Sequence, residues 1–255
     1  MHPMIALWAH PRSLSTAFER SFSERNDFTV FHEPFSYLYY VHEARADIPH
    51  KHPSPDHPRT YEAISGMLEA ARREGPVFHK DMCYHCIDHV MRDPAFLKAR
   101  INTFLIRDPA RTILSHATIH PGVARENLGY EPMLRMFETA ADLTGTAPVV
   151  INAADLQDNP RGTIRALCAA VGIDYIERAL TWNPGERTEW ATWKEWHKDA
   201  ADSTGISRAP EQYAVSFEDE PRLVELLDYA LPFYQALDRY RLSPIHTTIE
   251  TEIAQ

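Results

Sequence analysis

Two rhythms of apolar residues run along the chain. Short, nearly continuous apolar runs stand at Met4–Ala9, Thr29–His32, Val77–His79, Thr103–Ile106 and Val149–Ile151. A strand covered on both faces has no polar face to alternate with, so these runs predict the buried strands of a parallel sheet. Between them the helical period takes over. Ile64, Met67, Leu68 and Ala71 recur on one helical face, with Gly75 where a helix closes. Asn159 and Pro160 supply an N-cap and a first-turn proline for a helix carried by Ile164, Leu167 and Val171 up to Gly172. Leu223, Leu226, Leu227 and Ala230 mark another helix near the end. Strands alternating with helices predict an α/β class, a three-layer fold with a central parallel sheet flanked by helices. There is no internal repeat or low-complexity tract, and one domain over residues 1–255 is expected. Residues 46–59 (ADIPHKHPSPDHPR) hold four prolines and three histidines, His50, His52 and His57. Proline removes backbone donors and forbids helix, so this segment reads as a surface loop and a candidate lid that interrupts the domain without dividing it.

Composition narrows the partners. At 255 residues, 44% hydrophobic and 24% charged, the chain suits one large globular α/β domain. A formal net charge of −10 disfavours nucleic acids and anionic membranes, which reward a basic face. A few converging arginines and backbone N–H groups can still hold a compact anion, which points to small-molecule partners. No window approaches the roughly 18 apolar residues of a membrane span. The run Met4–Ala9 is short for a signal-peptide core and meets Pro11 and Arg12 at once. The cysteines, Cys83, Cys86 and Cys168, are too few and odd in number for a disulfide framework. A cytoplasmic location is therefore expected; oligomeric state has no signal.

The strongest chemical signal lies where the first strand turns into a helix, at His10-Pro-Arg-Ser-Leu-Ser-Thr16. Unpaired N–H groups and the positive dipole end of the helix favour a phosphate there. Ser13, Ser15 and Thr16 add hydroxyls, and Arg12 adds a two-pronged cation. The glycines and lysine of G-x-x-x-x-G-K-[ST] are missing, so a Walker-type clamp on ATP and magnesium is not indicated. The plainer reading makes the serines an N-cap cluster and Arg12 a surface charge. A second strand–arginine–turn–helix follows at Thr103-Phe-Leu-Ile-Arg107 through Ser115. Arg107 and Ser115 could reach one anion, or Arg107 could pair with Asp108. Two such turns suggest two separate phosphate sites.

Together these segments resemble the sulfotransferase family that uses 3′-phosphoadenosine 5′-phosphosulfate. That family opens with a strand and a P-[KR]-S-G-T-T loop, here Pro11-Arg-Ser-Leu-Ser-Thr16, and continues with a strand-end arginine and a helix serine, here Arg107 and Ser115. The stretch from Val150 through Asp155-Leu156 and Pro160 to Gly172 is similar to the family's strand, turn and glycine-ended helix. The likeness is nearest to a bacterial and fungal branch marked by HPRS, STA, EPF and KDM segments, here His10–Ser13, Ser15–Ala17, Glu33–Phe35 and Lys80–Met82. It implies a P-loop-like fold and a sulfuryl transfer from that nucleotide to a hydroxyl or amine of a small molecule, with no metal. The 5′-phosphosulfate is expected on Arg12, Ser13, Leu14, Ser15 and Thr16, and the 3′-phosphate on Arg107 and Ser115. Leu14 replaces the loop glycine, so a conformation open to glycine is expected to be lost or strained. The glycine-rich segment that often covers the nucleotide is missing, and only Trp190–Trp196 with Ser203-Thr-Gly205 stands in its place.

In such a transfer, charge builds on the leaving oxygen, a task for Arg12. The base is expected at Glu33, which some family members match with a glutamate, although Glu33 could equally cap a helix after Pro34. His32, facing the opposite way along the strand, is the second candidate. Lys80, at a third strand end, could bind sulfonate oxygens or acceptor, or simply be a surface lysine. His79, Cys83, Cys86 and His89 would share one stripe if helical, yet buried reduced cysteines are a commoner fate than zinc. His116 and His120 stand four apart, as a metal pair, a substrate contact or a solvated pair. Trp182, Trp190, Trp193 and Trp196 could stack on adenine or an acceptor, or belong to the core. Two rivals remain: a kinase-like phosphotransferase using ATP, and a nucleotide-binding protein without catalysis.

Overall fold

The computed structural model describes residues 1–47, 52–208 and 212–245. Five parallel strands, β1 (Met4–Ala9), β2 (Thr29–His32), β3 (Val77–Met82), β4 (Ile101–Ile106) and β5 (Val149–Asn152), form a sheet in the order β2-β3-β1-β4-β5. All five lie where the apolar runs predicted them. β3 runs three residues past His79 to Met82, because Lys80 and Asp81 are buried strand residues despite their charge. Such polar positions interrupt the apolar run by which a strand is read.

Helices cover both faces. On one, α1 (Ser15–Arg25) and, later in the chain, the helix Pro160–Val171 bury Phe18, Phe22, Ile164 and Leu167 against Ile5, Leu7 and Leu105. On the other, α2 (Tyr61–Glu74) buries Ile64 and Leu68 against Met4, Ala6 and Trp8. Alternate residues of β1 thus serve opposite layers, the period of two that a pleated strand imposes. Two further helices, α3 (Pro109–Ile119) and α4 (Tyr130–Thr144), follow β4, and with Pro160–Val171 as α5 and Arg222–Asp238 as α6 they complete the frame. α6 continues well past the Leu223–Ala230 stripe and packs on α3 through Leu223, Leu226 and Ala230.

The strand order decides where a ligand can sit. From β1 the chain leaves toward β2, whereas from β4 it leaves toward β5, on the other side of the sheet. Departing in opposite directions, the two connections open a crevice at the carboxyl ends of the neighbouring strands β1 and β4. Among the described residues, no helix is long and apolar enough to cross a membrane.

Candidate active site

The turn after β1 holds two residues in the left-handed region, Arg12 (φ 62°) and Leu14 (φ 76°, ψ 13°). For a side chain other than glycine this costs about 1–2 kcal/mol per residue. The glycine conformation is kept, and leucine carries the strain. Leu14 repays part of it by packing against the α1 layer. The N–H groups of Ser15, Thr16 and Ala17 then open α1 with no capping side chain. Ser13 Oγ is buried beside them with no hydrogen-bond partner among the described residues. An orphaned hydroxyl at an uncapped helix start is suited to an anion.

Arg107 leaves the end of β4 and reaches back, its Nη1 donating to the Arg12 carbonyl at 2.8 Å. His10 ties the same two turns together: its Nε2 accepts the Arg107 N–H at 3.1 Å, which leaves Nδ1 to donate to the Pro11 carbonyl at 3.0 Å. Burial pushes the His10 imidazole down to about 3, so it stays neutral and keeps that tautomer. Tyr130 packs on the His10 ring and donates to the Arg107 carbonyl at 2.7 Å. Arg12 Nε donates to Ser115 Oγ on α3 at 2.9 Å, and Arg12 Nη2 pairs with exposed Asp199 at 3.1 Å. Asp108 instead caps α3, accepting the Arg111 N–H at 3.2 Å.

The two expected phosphate sites are thus two walls of one cavity of about 700 Å³. Arg12, Leu14, Ser15, Thr16, Arg107 and Ser115 all line it, and Ser13 lies just beneath. Ser115 answers to Arg12 here, where the spacing alone paired it with Arg107.

Glu33 also lines the cavity, and the site around it differs from the expectation in three ways. First, Glu33 has φ 42°, so the strand alternation ends and His32 and Glu33 turn toward each other, with Nε2 and Oε1 3.9 Å apart. Second, the Glu33 carbonyl, and not its carboxylate, accepts from the N–H and hydroxyl of Ser36, so the side chain is free of capping. Third, Lys80 is neither a surface residue nor a cavity-lining one. Its side chain is fully buried inside β3, where Nζ lies 2.5 Å from Glu33 Oε1 and 3.8 Å from Glu19 Oε2. The expected direct contact of Lys80 with sulfonate or acceptor is therefore corrected: the lysine does not reach the cavity and pairs with Glu33 instead.

Behind this pair runs a chain of buried polar groups. Thr16 Oγ1 meets His197 Nδ1 at 3.2 Å, His197 Nε2 meets His32 Nε2 at 2.9 Å, and His32 Nδ1 meets Glu19 Oε2 at 2.8 Å. Trp190 Nε1 donates to the other Glu19 oxygen at 3.1 Å. His32, a candidate base, therefore stands in a second row; of these two linked imidazoles it is His197 that faces the cavity. Burial alone would push the Glu33 carboxyl up, but Lys80, with His32, His85 and His197, outweighs it and holds Glu33 well below the usual carboxylate range. Glu19 is held down against the same burial by His32 and Lys80. Among the described residues, His32, Glu33 and His197 also have ligand-type atoms within 4.8 Å of one another. Of these three, Glu33 already has the Lys80 ammonium as its cation.

The remaining expectations sort by environment. His79 lies in β3 while Cys83–His85 is a single turn, so the cysteines and histidines do not share a helical stripe; both cysteines are buried. His116 and His120 both line the cavity. Trp182 and Trp190 flank the Arg20 guanidinium at 5.7 Å each, whereas Trp196 reaches the cavity. His50 and the Trp193 side chain lie outside the described residues. His57 stacks on Tyr37 at 3.7 Å, which ties part of the proline-rich loop to the body.

Sequence reasoning missed His10, Glu19 and His197 as site residues. Glu19 left little signal, since α1 also buries Arg20 and Arg25 and a charge on this helix does not stand out. His197 left none, since its partners are distant in sequence.

A family model described as a sulfotransferase domain matches residues 3–241. The chain belongs to this sulfotransferase family. Its class of activity is that of a transferase, and its sheet is that of the family's P-loop-like fold. A sulfotransferase domain from the olefin synthase of Synechococcus PCC 7002 superimposes with a TM-score of 0.53 at 13% identity, covering 89% of this chain and 94% of that one. A sulfotransferase from Alicyclobacillus acidocaldarius gives 0.52 at 13% identity, covering 94% and 95%. At such identities the likeness is one of fold. Two Arabidopsis thaliana proteins, named branched-chain-amino-acid aminotransferase-like protein 2 and protein 1, are 30% and 31% identical over 251 residues, 92% of this sulfotransferase chain. The chain spans only 41% of each of these curated relatives, so their names describe much more than the part it matches.

Proposed function

We propose that this sulfotransferase moves a sulfuryl group from 3′-phosphoadenosine 5′-phosphosulfate to a hydroxyl or amine of a small molecule. One observation carries the reading. Two arginines from different strand ends, an uncapped helix start and a carboxylate with no capping duty all face one cavity. The loop N–H groups, Ser13 and Thr16 suit the 5′-phosphosulfate end. Arg107 and Ser115, at the next strand end, suit the 3′-phosphate once Arg12 lets go of Ser115.

The donor supplies the sulfuryl group; the chain supplies position and charge. The acceptor oxygen or nitrogen bonds to sulfur, the bond from sulfur to the 5′-phosphate oxygen breaks, and the 3′,5′-bisphosphate leaves. Arg12 offsets the negative charge that gathers on the breaking bond. Glu33 takes the acceptor proton. A carboxylate held low by Lys80 is always ionised but weakly basic. It suits a loose transition state, in which the attacking group becomes acidic only as its bond to sulfur forms.

Calorimetry with adenosine 3′,5′-bisphosphate against ATP and magnesium tests the donor. Tight binding of the bisphosphate and weak binding of ATP supports the reading, and the reverse order replaces it with a phosphotransferase. Turnover with sulfur-labelled donor then separates a working enzyme from a nucleotide-binding protein without catalysis.

A further inference from the structure

The anion-binding groups account for one end of the cavity; the other end is of different chemistry. Around Glu33 the lining is Tyr40, Met82, Tyr84 and His85, joined by Trp196 and His116. These side chains form one continuous aromatic surface. Tyr84 meets His85 with ring centroids 4.8 Å apart, and Tyr40 meets His85 at 5.3 Å. Trp196 packs onto the Tyr39–Tyr40 cluster and stands edge-on to His116 at 5.9 Å. The hydroxyls of Tyr40 and Tyr84 lie 3.1 Å apart and bond each other, so they offer a ligand less polar contact than free phenols would.

This surface carries no charge of its own. Burial pushes the His85 imidazole down to about 4 and that of His116 to about 3, and it pushes both phenols up. Among the described lining residues, the only lysine or arginine side chains are Arg12 and Arg107, both committed to the anion end. Among the described lining residues, a carboxylate or phosphate on the acceptor would meet the Glu33 carboxylate there and no lysine or arginine beyond those two. An unpaired charge moved out of water is costly, and so is a ring of sugar hydroxyls set against apolar faces. Flat aromatic rings gain from edge and face contacts with such a wall.

We propose that this end of the cavity is the acceptor subsite and takes an uncharged aromatic hydroxyl compound, its ring against Tyr40, Tyr84 and Trp196 and its hydroxyl at Glu33. The proposal rests on the sulfotransferase reading above and adds the substrate class. The hydroxyl oxygen bonds to sulfur, its proton passes to Glu33, and the donor's bond from sulfur to phosphate oxygen breaks.

Three probes make the test: 2-naphthol, 6-hydroxy-2-naphthoate, which adds a charge to the same ring, and methyl β-glucoside, which replaces the ring by an uncharged sugar. Binding is read by saturation-transfer NMR on the full chain with adenosine 3′,5′-bisphosphate present, and turnover with the labelled donor. The expected result is that 2-naphthol binds and is sulfated, with kcat/KM about 100-fold or more above either other probe. Tyr84→Ala should raise the KM for 2-naphthol about tenfold while the Kd of the bisphosphate stays the same, and Tyr84→Phe should leave both within about twofold. Trp196→Ala gives a second reading of the wall if Tyr84→Ala does not fold. Equal use of the naphthoate, preference for the glucoside, or no binding of 2-naphthol overturns the subsite. If the bisphosphate does not bind, the donor reading falls instead, and naphthol binding by NMR still decides the aromatic subsite.

Discussion

Replacing Lys80 by methionine keeps all but the last atom of the side chain's length, removes its charge and leaves two buried carboxylates without their cation. Nζ sits 2.5 Å from Glu33 and 3.8 Å from Glu19 in a spot with no exposure. At an effective dielectric near 20, these attractions are about 7 and about 4 kcal/mol before any desolvation is counted. Desolvation of the ammonium cancels much of that sum, and removing one partner of a buried pair costs about 3–5 kcal/mol in practice. The cost is also bounded from above, because Glu33 can take a proton. Neutralising a carboxyl of ordinary value 4.5 at pH 7 costs about 3.4 kcal/mol. A loss of about 3–4 kcal/mol at pH 7 is therefore expected, read by urea unfolding followed through tryptophan fluorescence. For a chain of this size it corresponds to a fall in Tm of about 6–16 °C. The sign of the pH dependence adds a second check. In the wild type the folded Glu33 value is depressed, so its contribution is present above the ordinary value and is lost as pH falls through the folded one. In Lys80→Met the folded value is raised instead, so the variant recovers relative to wild type as pH falls from 7.5 to 5.5. Lys80→Met with Glu33→Gln should regain at least half of the loss. A single-variant loss below about 1 kcal/mol, or one independent of pH, would refute the picture of a buried cation serving two carboxylates.

Other perturbations test the rest of the site. Arg12→Ala should abolish turnover in a folded protein, whereas Arg107→Ala should chiefly weaken bisphosphate binding, by about tenfold or more in calorimetry; full activity of Arg12→Ala would remove its assigned role. Asp199→Asn frees Arg12 from a solvent-exposed pair worth about 0–1 kcal/mol, so the bisphosphate should bind up to about fivefold tighter, and weaker binding would contradict a competing contact. His10, His85 and His116 are held neutral with values lowered to about 3, 4 and 3. A lowered folded value means stability that is complete above the ordinary histidine value of 6.5 and lost as pH falls below it. Each group should cost about 2 kcal/mol at pH 5, so urea midpoints measured from pH 7.5 to pH 5 should fall steeply, and a flat profile would refute their burial as neutral rings. Leu14→Gly should relieve about 1 kcal/mol of backbone strain while losing a comparable amount of half-buried packing, leaving Tm within a few degrees; a large drop would show that the leucine side chain holds the turn.

Much of the candidate site is legible in the sequence because turns suited to anions are local. The residues from His10 to Thr16 are adjacent in the chain, and a strand that runs into a helix announces its own N-terminus. Arg107 and Ser115 are legible for the same reason. The cluster around Glu33 is harder to read. Strand alternation gives His32 and Glu33 opposite facings, and a left-handed φ at Glu33 cancels that rule. An isolated lysine reads as exposed because most are, and the acids that bury Lys80 come from β2's end and from α1.

By itself the sequence determined the strands, the helices that cover them and the two turns suited to anions, since each depends on residues within a few positions of one another. Only the tertiary structure decided that the two turns share one cavity, that His10 locks them together and that Lys80 serves Glu33 and Glu19 from inside. Those facts depend on strand order and on contacts between residues tens to more than a hundred positions apart, such as Thr16 with His197. Periodicity carries no trace of such distances; a parallel sheet closes them only when it forms.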